Sequence, residues 1–169
     1  MKIDLTQLAL EEGPRTVPFA EALQSETEIP FLTDVVGEVR LARVGALVRL
    51  TGRATTVAGL TCDRCLRPVR YRLVATFEEA VRAGPEVPAS GMRRALGAED
   101  FVLTLPDGVL DLSALVREHL LLAVPMVVTC REACRGLCPV CGADRNTEPC
   151  ACGETAPDPR LAPLRHLKV

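Results

Sequence analysis

The chain has 169 residues and a formal net charge of −2, with 48% hydrophobic and 25% charged residues. This is the length and balance of one ordinary folded domain. No apolar run approaches the roughly 20 residues that cross a bilayer, and the N-terminal segment lacks the apolar core of a secretory signal. We therefore expect a cytoplasmic protein with no membrane partner.

The cysteine count and the arginine distribution both depart from the average. Eight cysteines are too few for a small secreted disulfide scaffold and too many for chance in a reducing compartment, so metal ligands are favoured over disulfides. Residues 40–72 contain eight arginines and one acid, a local charge of +7. Such an asymmetry indicates an anionic partner, although an arginine-rich composition alone would also produce it.

The first elements in chain order are two short ones followed by a long hairpin. Residues 2–5 are expected to form a strand or turn, and residues 19–23 a short helix; the role of residues 1–35 is left open. Hydrophobic and polar residues alternate over 46–55 and again over 69–77, which predicts two strands. Residues 58–68 connect them, so Cys62 and Cys65 are expected at the tip of an antiparallel hairpin.

The second half of the chain is expected to form a loop, a strand and a helix. Glycine and proline predict a loop over 83–98, of unassigned role, before a strand at 101–105 and a turn at 106–108. Asp111 can cap a helix over 111–124. The inward-facing residues expected from the helical spacing are Leu112, Leu115, Val116 and Leu122. Pro125 should end this helix, and a short helix in the tail is no better supported than a frayed end.

The cysteines near the C-terminus have the spacing of zinc ligands. In Cys138-Pro-Val-Cys141-Gly142 the two thiols fit one turn around a zinc ion, and Gly142 supplies the positive φ often needed after the second ligand. Cys150 and Cys152 return after a short turn-rich loop, so these four cysteines are predicted to form one structural site.

A second zinc site is left open. Its candidate ligands are Cys62, Cys65, Cys130 and Cys134, which would join the hairpin tip to the segment after the helix. Two alternatives also stay open at this point: Cys130 or Cys134 could replace Cys150 or Cys152 in a single site, and Cys62 and Cys65 could be plain reduced thiols.

Other chemistry finds little support in the sequence. Thioredoxin-like redox centres and iron–sulfur clusters need contexts or spacings that are absent, and neither His119 nor His166 fits a zinc deaminase motif. His119 is expected at the edge of the core. Phosphate-cradling loops and nucleophile motifs are also missing. We therefore expect no enzyme, no catalytic residue and no small-molecule substrate, with structural zinc as the cofactor.

Both predicted strands of the hairpin place arginines on one face. Arg49, Arg53, Arg70 and Arg72 form a candidate surface for RNA phosphates or an acidic protein, while the alternative is an ordinary solvated face. Aromatic residues are only 3% of the chain, so platforms for stacking unpaired bases are missing. Any RNA contact should therefore be to the backbone and be strongly salt-dependent.

Four motifs in order carry a resemblance to a known family. They are CDRCLRPV at 62–69, DLSALVREHLLLAVPM at 111–126, the cysteine-rich stretch at 130–152 and DPRLAPLRHL at 158–167. Together they resemble the bacterial YceD family of large ribosomal RNA subunit accumulation proteins. The resemblance implies a non-enzymatic factor for accumulation of large-subunit ribosomal RNA, with that RNA or the pre-ribosome as partner. Family members differ in how many of these cysteines they keep, which implies that the metal braces the fold.

The sequence thus predicts an α+β protein with a largely antiparallel sheet, a long hairpin, one packed helix and a cysteine-rich zinc-binding C-terminal segment. The expected organisation is a domain at 1–129, a zinc segment at 130–153 packed on it, and a tail at 154–169. Two other functions remain in view: a zinc-stabilised adaptor for a large-subunit ribosomal protein, and a thiol redox or zinc-transfer protein. The RNA segment contacted, the number of zinc ions and the oligomeric state are not determined by the sequence.

Overall fold

The computed structural model describes residues 1–8, 13–23, 29–84, 102–153 and 160. Its strands are β1 (Lys2–Asp4), β2 (Arg15–Glu21), β3 (Val35–Val44), β4 (Leu47–Thr61), β5 (Pro68–Ala83), β6 (Leu103–Leu105) and β7 (Val109–Asp111). Its helices are the single turn α1 (Leu5–Leu8) and the longer α2 (Leu112–Leu122). None of the described helices is long and apolar enough to cross a membrane.

The strands form a five-stranded sheet and a separate two-stranded one. The larger sheet has the order β2-β3-β4-β5-β6, and the smaller pairs β1 with β7 antiparallel. β2 and β3 pair antiparallel, as do β3 and β4, whereas β6 adds parallel to the end of β5. A mostly antiparallel, mixed sheet with one substantial helix agrees with the predicted α+β class.

Side-chain alternation places one face of β4 and β5 in the core. Strand side chains point alternately to opposite faces, and the even positions of β4 and odd positions of β5 carry the apolar residues. The buried ones are Val48, Leu50, Ala54, Ala58, Leu60, Leu73, Ala75, Phe77 and Val81. The other face carries the exposed Arg49, Arg53, Arg70 and Arg72. The predicted alternation is therefore confirmed in both strands.

Gly52 leaves room for the largest side chain of this core. A Cβ at Gly52 would lie 2.3 Å from Cζ of Phe77, so the ring occupies the space above the glycine. The ring also stacks on His119 of α2, with centroids 5.0 Å apart and planes 18° from parallel. His119 Nε2 lies 3.1 Å from the Glu79 carboxylate. This placement agrees with the expected position of His119 at the edge of the core.

The N-terminal half contains one wrong prediction and one omission. Residues 19–21 belong to β2 and not to a helix, and β2 pairs with β3, a strand that the sequence pattern did not single out. The pairing puts Phe19 opposite Gly37, where a Cβ would come within 2.7 Å of the ring. Cross-strand packing over a glycine is a tertiary contact, and it overrides the weak local helical pattern.

Helix α2 begins as predicted and ends slightly earlier. The Asp111 side chain accepts the Ala114 N–H at 3.1 Å, which caps the first turn, and the last helical residue is Leu122. Leu112, Val116 and Leu120 are the buried residues of this helix. The expectation that Leu122 faces inward is wrong, because its side chain is 74% exposed in the last turn.

Residue contacts divide the chain into two compact units. One comprises Met1–Leu60 with Arg70–Met126, and the other comprises Thr61–Val69 with Val127–Val169. The chain between β4 and β5 therefore groups with the cysteine-rich segment. Residues 85–101, the greater part of the predicted loop, and nearly all of the predicted tail lie outside the described residues.

Candidate metal centres and arginine face

The first cysteine cluster comprises Cys62, Cys65, Cys130 and Cys134, whose sulfur atoms all lie within 4.8 Å of one another. Sγ of Cys62 is 3.9 Å from Sγ of Cys134, and Sγ of Cys65 is 3.6 Å from Sγ of Cys130. A tetrahedral zinc ion with Zn–S bonds of 2.3 Å requires sulfur–sulfur edges of about 3.8 Å. The four thiols therefore fit the dimensions of one tetrahedral metal site.

The chain between β4 and β5 folds into a tight turn that presents two of these thiols. The Leu66 N–H donates to the Cys62 carbonyl at 2.8 Å, and Leu66 has a φ of 58°. A pair of hydrogen bonds ties this turn to the segment before Cys130: Asp63 N–H donates to the Val128 carbonyl at 2.9 Å, and Val128 N–H donates to Asp63 Oδ2 at 2.6 Å. These local contacts bring the two cysteine pairs together.

Backbone N–H groups favour the thiolate form within the first cluster. Burial opposes ionisation of Cys62, but the N–H groups of Cys130, Cys65 and Arg64 outweigh it and lower its pKa to about 6. The Cys130 N–H lies 3.3 Å from the Cys62 sulfur. Burial, followed by the neighbouring thiols, raises the pKa of Cys130 to about 12. Four such close thiols can all ionise only around a cation.

The second cluster comprises Cys138, Cys141, Cys150 and Cys152, with sulfur atoms again within 4.8 Å of one another. Sγ of Cys150 lies 3.3 Å from Sγ of Cys138 and 3.5 Å from Sγ of Cys141. Gly142 has a φ of 74°, and its N–H donates to the Cys138 carbonyl at 2.9 Å. This is the turn geometry that the glycine after the second thiol predicts.

The second cluster is the more exposed of the two. Cys138 is buried, whereas Cys141 and Cys152 are exposed. The N–H groups of Cys141 and Val140 are the main cause of a lowered pKa at Cys138, about 6. Hydrogen bonding with Cys150 and Cys141 raises the pKa of Cys152 to about 12. The same combination of one N–H-stabilised thiolate and high-pKa neighbours thus occurs in both clusters.

The cysteines divide four and four. Cys130 and Cys134 lie with Cys62 and Cys65, while Cys150 and Cys152 lie with Cys138 and Cys141. This geometry differs from both alternatives, the mixed single site and the isolated thiol pair of Cys62 and Cys65. Sequence reasoning did not identify Asn146, whose side-chain amide donates to Sγ of Cys134 at 3.5 Å. Nothing in the local pattern distinguishes it from an ordinary turn asparagine.

The four predicted arginines lie on the sheet face that points away from the core. Across β3, β4 and β5 this arginine face carries six arginines and two glutamates, a net charge of +4: Arg40, Arg49, Arg53, Arg70, Arg72, Arg82, Glu38 and Glu78. No aromatic residue lies on this face of the three strands. Threonines and small residues occupy most of the positions between the charges.

Few of these arginines are paired with acids. Arg49 Nε lies 3.5 Å from a Glu78 oxygen, and both side chains are more than half exposed. Arg53 is directly opposite Glu38 in the β3–β4 register. Among the described residues, no carboxylate lies within 4.0 Å of Arg53, Arg70 or Arg72. The face is therefore able to accept another anion.

Comparison with known proteins relates this architecture to a family. The family described as "Large ribosomal RNA subunit accumulation protein YceD" matches residues 50–168. An uncharacterized protein of Mycobacterium tuberculosis is 35% identical over 133 residues, covering 79% of this chain and 60% of the relative.

Two plant relatives carry a functional name. The large ribosomal RNA subunit accumulation protein YCED homolog 1, chloroplastic, of Arabidopsis thaliana is 28% identical over 163 residues, covering 83% of this chain and 50% of the relative. Its Zea mays namesake is 27% identical over 143 residues, covering 71% and 49%. The chain thus spans about half to three fifths of the length of these relatives. No solved structure matches it significantly.

The family match contains all eight cysteines, the helix α2 and the arginines at positions 53, 70 and 72. The features that organise both candidate metal centres therefore lie inside the matched region. This chain belongs to the YceD family of large ribosomal RNA subunit accumulation proteins.

Proposed function

We propose that this protein is a non-enzymatic cytoplasmic factor that promotes accumulation of large-subunit ribosomal RNA. The observation that carries the proposal is the family match over residues 50–168, supported by the functional name of the plant relatives. The two cysteine clusters support a structural role, because four thiols in each would leave a bound tetrahedral ion no open position.

The arginine face is the proposed RNA-binding surface. Its net charge of +4 and its unpaired arginines suit phosphate groups, which dominate affinity in protein–nucleic acid contacts. Without aromatic residues the face has nothing on which unpaired bases could stack. A basic sheet surface without aromatic residues instead suits the phosphates and 2′-hydroxyls of an RNA duplex, which is recognised mainly by shape.

Each cysteine cluster is proposed to hold one structural Zn²⁺ ion. Cys62, Cys65, Cys130 and Cys134 would hold the first, and Cys138, Cys141, Cys150 and Cys152 the second. Support comes from the sulfur–sulfur spacing and from an all-thiolate donor set typical of structural zinc. When bound, the ions would cross-link the hairpin tip and the segment 130–152, which has little hydrophobic core of its own.

A depletion experiment with complementation tests the function and the surface separately. Depletion of the protein is expected to lower the ratio of large- to small-subunit ribosomal RNA, and the wild-type gene should restore it. A variant with glutamate at positions 49, 53, 70 and 72 should fold but fail to restore the ratio. An unchanged ratio after depletion would refute the function. Full restoration by the charge-reversed variant would refute only the surface.

Crosslinking in the same cells identifies the partner. We expect crosslinks to large-subunit ribosomal RNA that map to β4 and β5 and that disappear in the charge-reversed variant. Crosslinks to a ribosomal protein alone would contradict direct RNA binding and would support the adaptor role considered from the sequence.

A further inference from the structure

Asn146 connects the two cysteine clusters. It lies in the loop 142–149, between the second-cluster ligands Cys141 and Cys150, yet its side-chain Nδ2 donates to Sγ of Cys134 in the first cluster at 3.5 Å. A hydrogen bond to a metal-binding sulfur is an outer-shell contact, and such contacts orient the ligand and tune its affinity for the metal.

The orientation of the Asn146 amide is determined by its other partners. Its Oδ1 accepts the backbone N–H of Arg135 at 2.9 Å and Nη2 of Arg131 at 2.9 Å. Because both partners are donors, the oxygen must face them, and the NH₂ group must face Cys134. Asp144 Oδ1 accepts a second hydrogen bond from Nδ2 at 2.6 Å.

Other residues of the loop 142–149 also contact residues around the first cluster. Asp144 Oδ2 lies 2.6 Å from Nη2 of Arg67 at the hairpin tip. The Asn146 backbone N–H donates to Asp144 Oδ1 at 2.9 Å, and the Arg145 N–H donates to the Gly136 carbonyl at 3.0 Å. The second-cluster cysteines thus flank the loop, and its middle residues contact the residues around the first cluster.

We propose that Asn146 is a positioning residue that couples metal binding at the two clusters. Metal in the second cluster closes the loop 142–149 and reduces its conformational freedom. The ordered loop holds the Asn146 amide against Cys134, which raises the metal affinity of the first cluster. This inference rests on the proposed function, in which both clusters hold a metal ion. Because coupling is reciprocal, metal in the first cluster raises affinity at the second by the same factor.

A double-mutant cycle on the full chain measures the coupling. Its four forms are the wild type, Asn146→Ala, a second-cluster variant with Cys141→Ser and Cys152→Ser, and the combination of all three substitutions. Zinc affinity of the first cluster is measured by competition with a chelator, and ¹¹³Cd resonances report each cluster separately. Asn146→Ala is expected to lower the zinc affinity of the first cluster roughly 10- to 100-fold, as substitutions of outer-shell residues commonly do.

The combined variant should bind zinc at the first cluster as tightly as the second-cluster variant does, because the cysteine substitutions already remove the coupling. The inference would be overturned if the substitutions had additive effects on the zinc affinity of the first cluster, or if Asn146→Ala left that affinity unchanged. Glu148→Ala, at an exposed position in the same loop, is the matched control and should leave the first cluster unchanged.

Two further measurements keep the inference falsifiable if the cysteine variant misfolds. Asn146→Asp keeps the shape and the acceptor but replaces the donor with a carboxylate beside a thiolate, so it should weaken the first cluster more than alanine does. A wild-type affinity in that variant would contradict the hydrogen-bonding role. In the doubly loaded wild type, chelation of the exposed second cluster should accelerate metal release from the first, whereas Asn146→Ala should show fast release from the start.

The outcomes separate this inference from the proposed function. If the chain binds no metal, both the structural zinc and the coupling are refuted. If it binds two metal ions whose affinities are independent, the coupling alone is refuted and the proposed function is unaffected.

Discussion

Removal of the arginine face should abolish the salt dependence of RNA binding. Substitution of Arg49, Arg53, Arg70 and Arg72 by alanine leaves two arginines and two glutamates on the face, which lowers its net charge from +4 to zero. A net charge of +4 neutralises about four phosphates, which gives a slope of about −3.6 in a plot of log affinity against log salt. An increase from about 50 to 200 mM salt should then weaken wild-type binding about 150-fold.

The assay is fluorescence anisotropy with an RNA duplex of about 16 base pairs, titrated at several salt concentrations. The wild type should bind the duplex more tightly than a single strand of the same sequence, and the four-alanine variant should show a slope near zero. A matched variant with alanine at Lys2, Arg43, Arg135 and Arg145 loses the same charge from exposed positions outside the face. If the two variants lost equal slope, or if the four-alanine variant kept the wild-type slope, binding through the arginine face would be refuted.

Three further predictions concern the metal centres, the core and the Glu21 carboxylate. The chain purified without chelators should contain two zinc ions, and its thiols should react only after chelation and unfolding; a reactive thiol in the loaded protein would support the redox alternative instead. Gly52→Ala should lower the free energy of unfolding by about 1–3 kcal/mol in urea titrations, because its Cβ would lie 2.3 Å from the Phe77 ring; an unchanged midpoint would contradict this packing. Hydrogen bonds from Ser113 and then from the N-terminal amino group lower the pKa of Glu21 below its ordinary value. The ionised Glu21 carboxylate therefore stabilises the fold at pH values above its ordinary pKa, and this stabilisation is lost as the pH falls through the lowered pKa. Ser113→Ala should raise the pKa of Glu21 in an NMR titration, so that the loss of stability occurs at higher pH.

Local patterns were sufficient for the elements whose structure depends on local rules. Alternation in β4 and β5 depends only on the period-two geometry of a strand, so the buried and exposed faces were predictable. The cap at Asp111 likewise needs only a short polar side chain before a helical repeat. The strand β2 was missed because its conformation depends on pairing with β3, more than ten residues away, and on space left by Gly37.

The candidate metal ligands were all recognisable from residue type and spacing, and the sequence put forward the grouping that the structure shows without excluding two alternatives. Cys138-Pro-Val-Cys141 identifies a metal knuckle by itself, since the two thiols and the turn are adjacent in sequence. Whether Cys130 joins this knuckle or the turn with Cys62 and Cys65 depends on the paired hydrogen bonds between Asp63 and Val128, which connect segments 65 residues apart. The periodicity of hydrophobic residues does not predict such a contact.

The amino-acid sequence by itself determined the class of the fold, the apolar face of the long strands, the arginines opposite that face and the eight thiols available for metal. Only the tertiary structure decided which four thiols meet in each cluster, and that Asn146 of one cluster's loop donates to a sulfur of the other. The physical reason is that side-chain periodicity and turn chemistry act over a few residues. Ligand sets and outer-shell contacts instead depend on where distant segments of the chain come to lie.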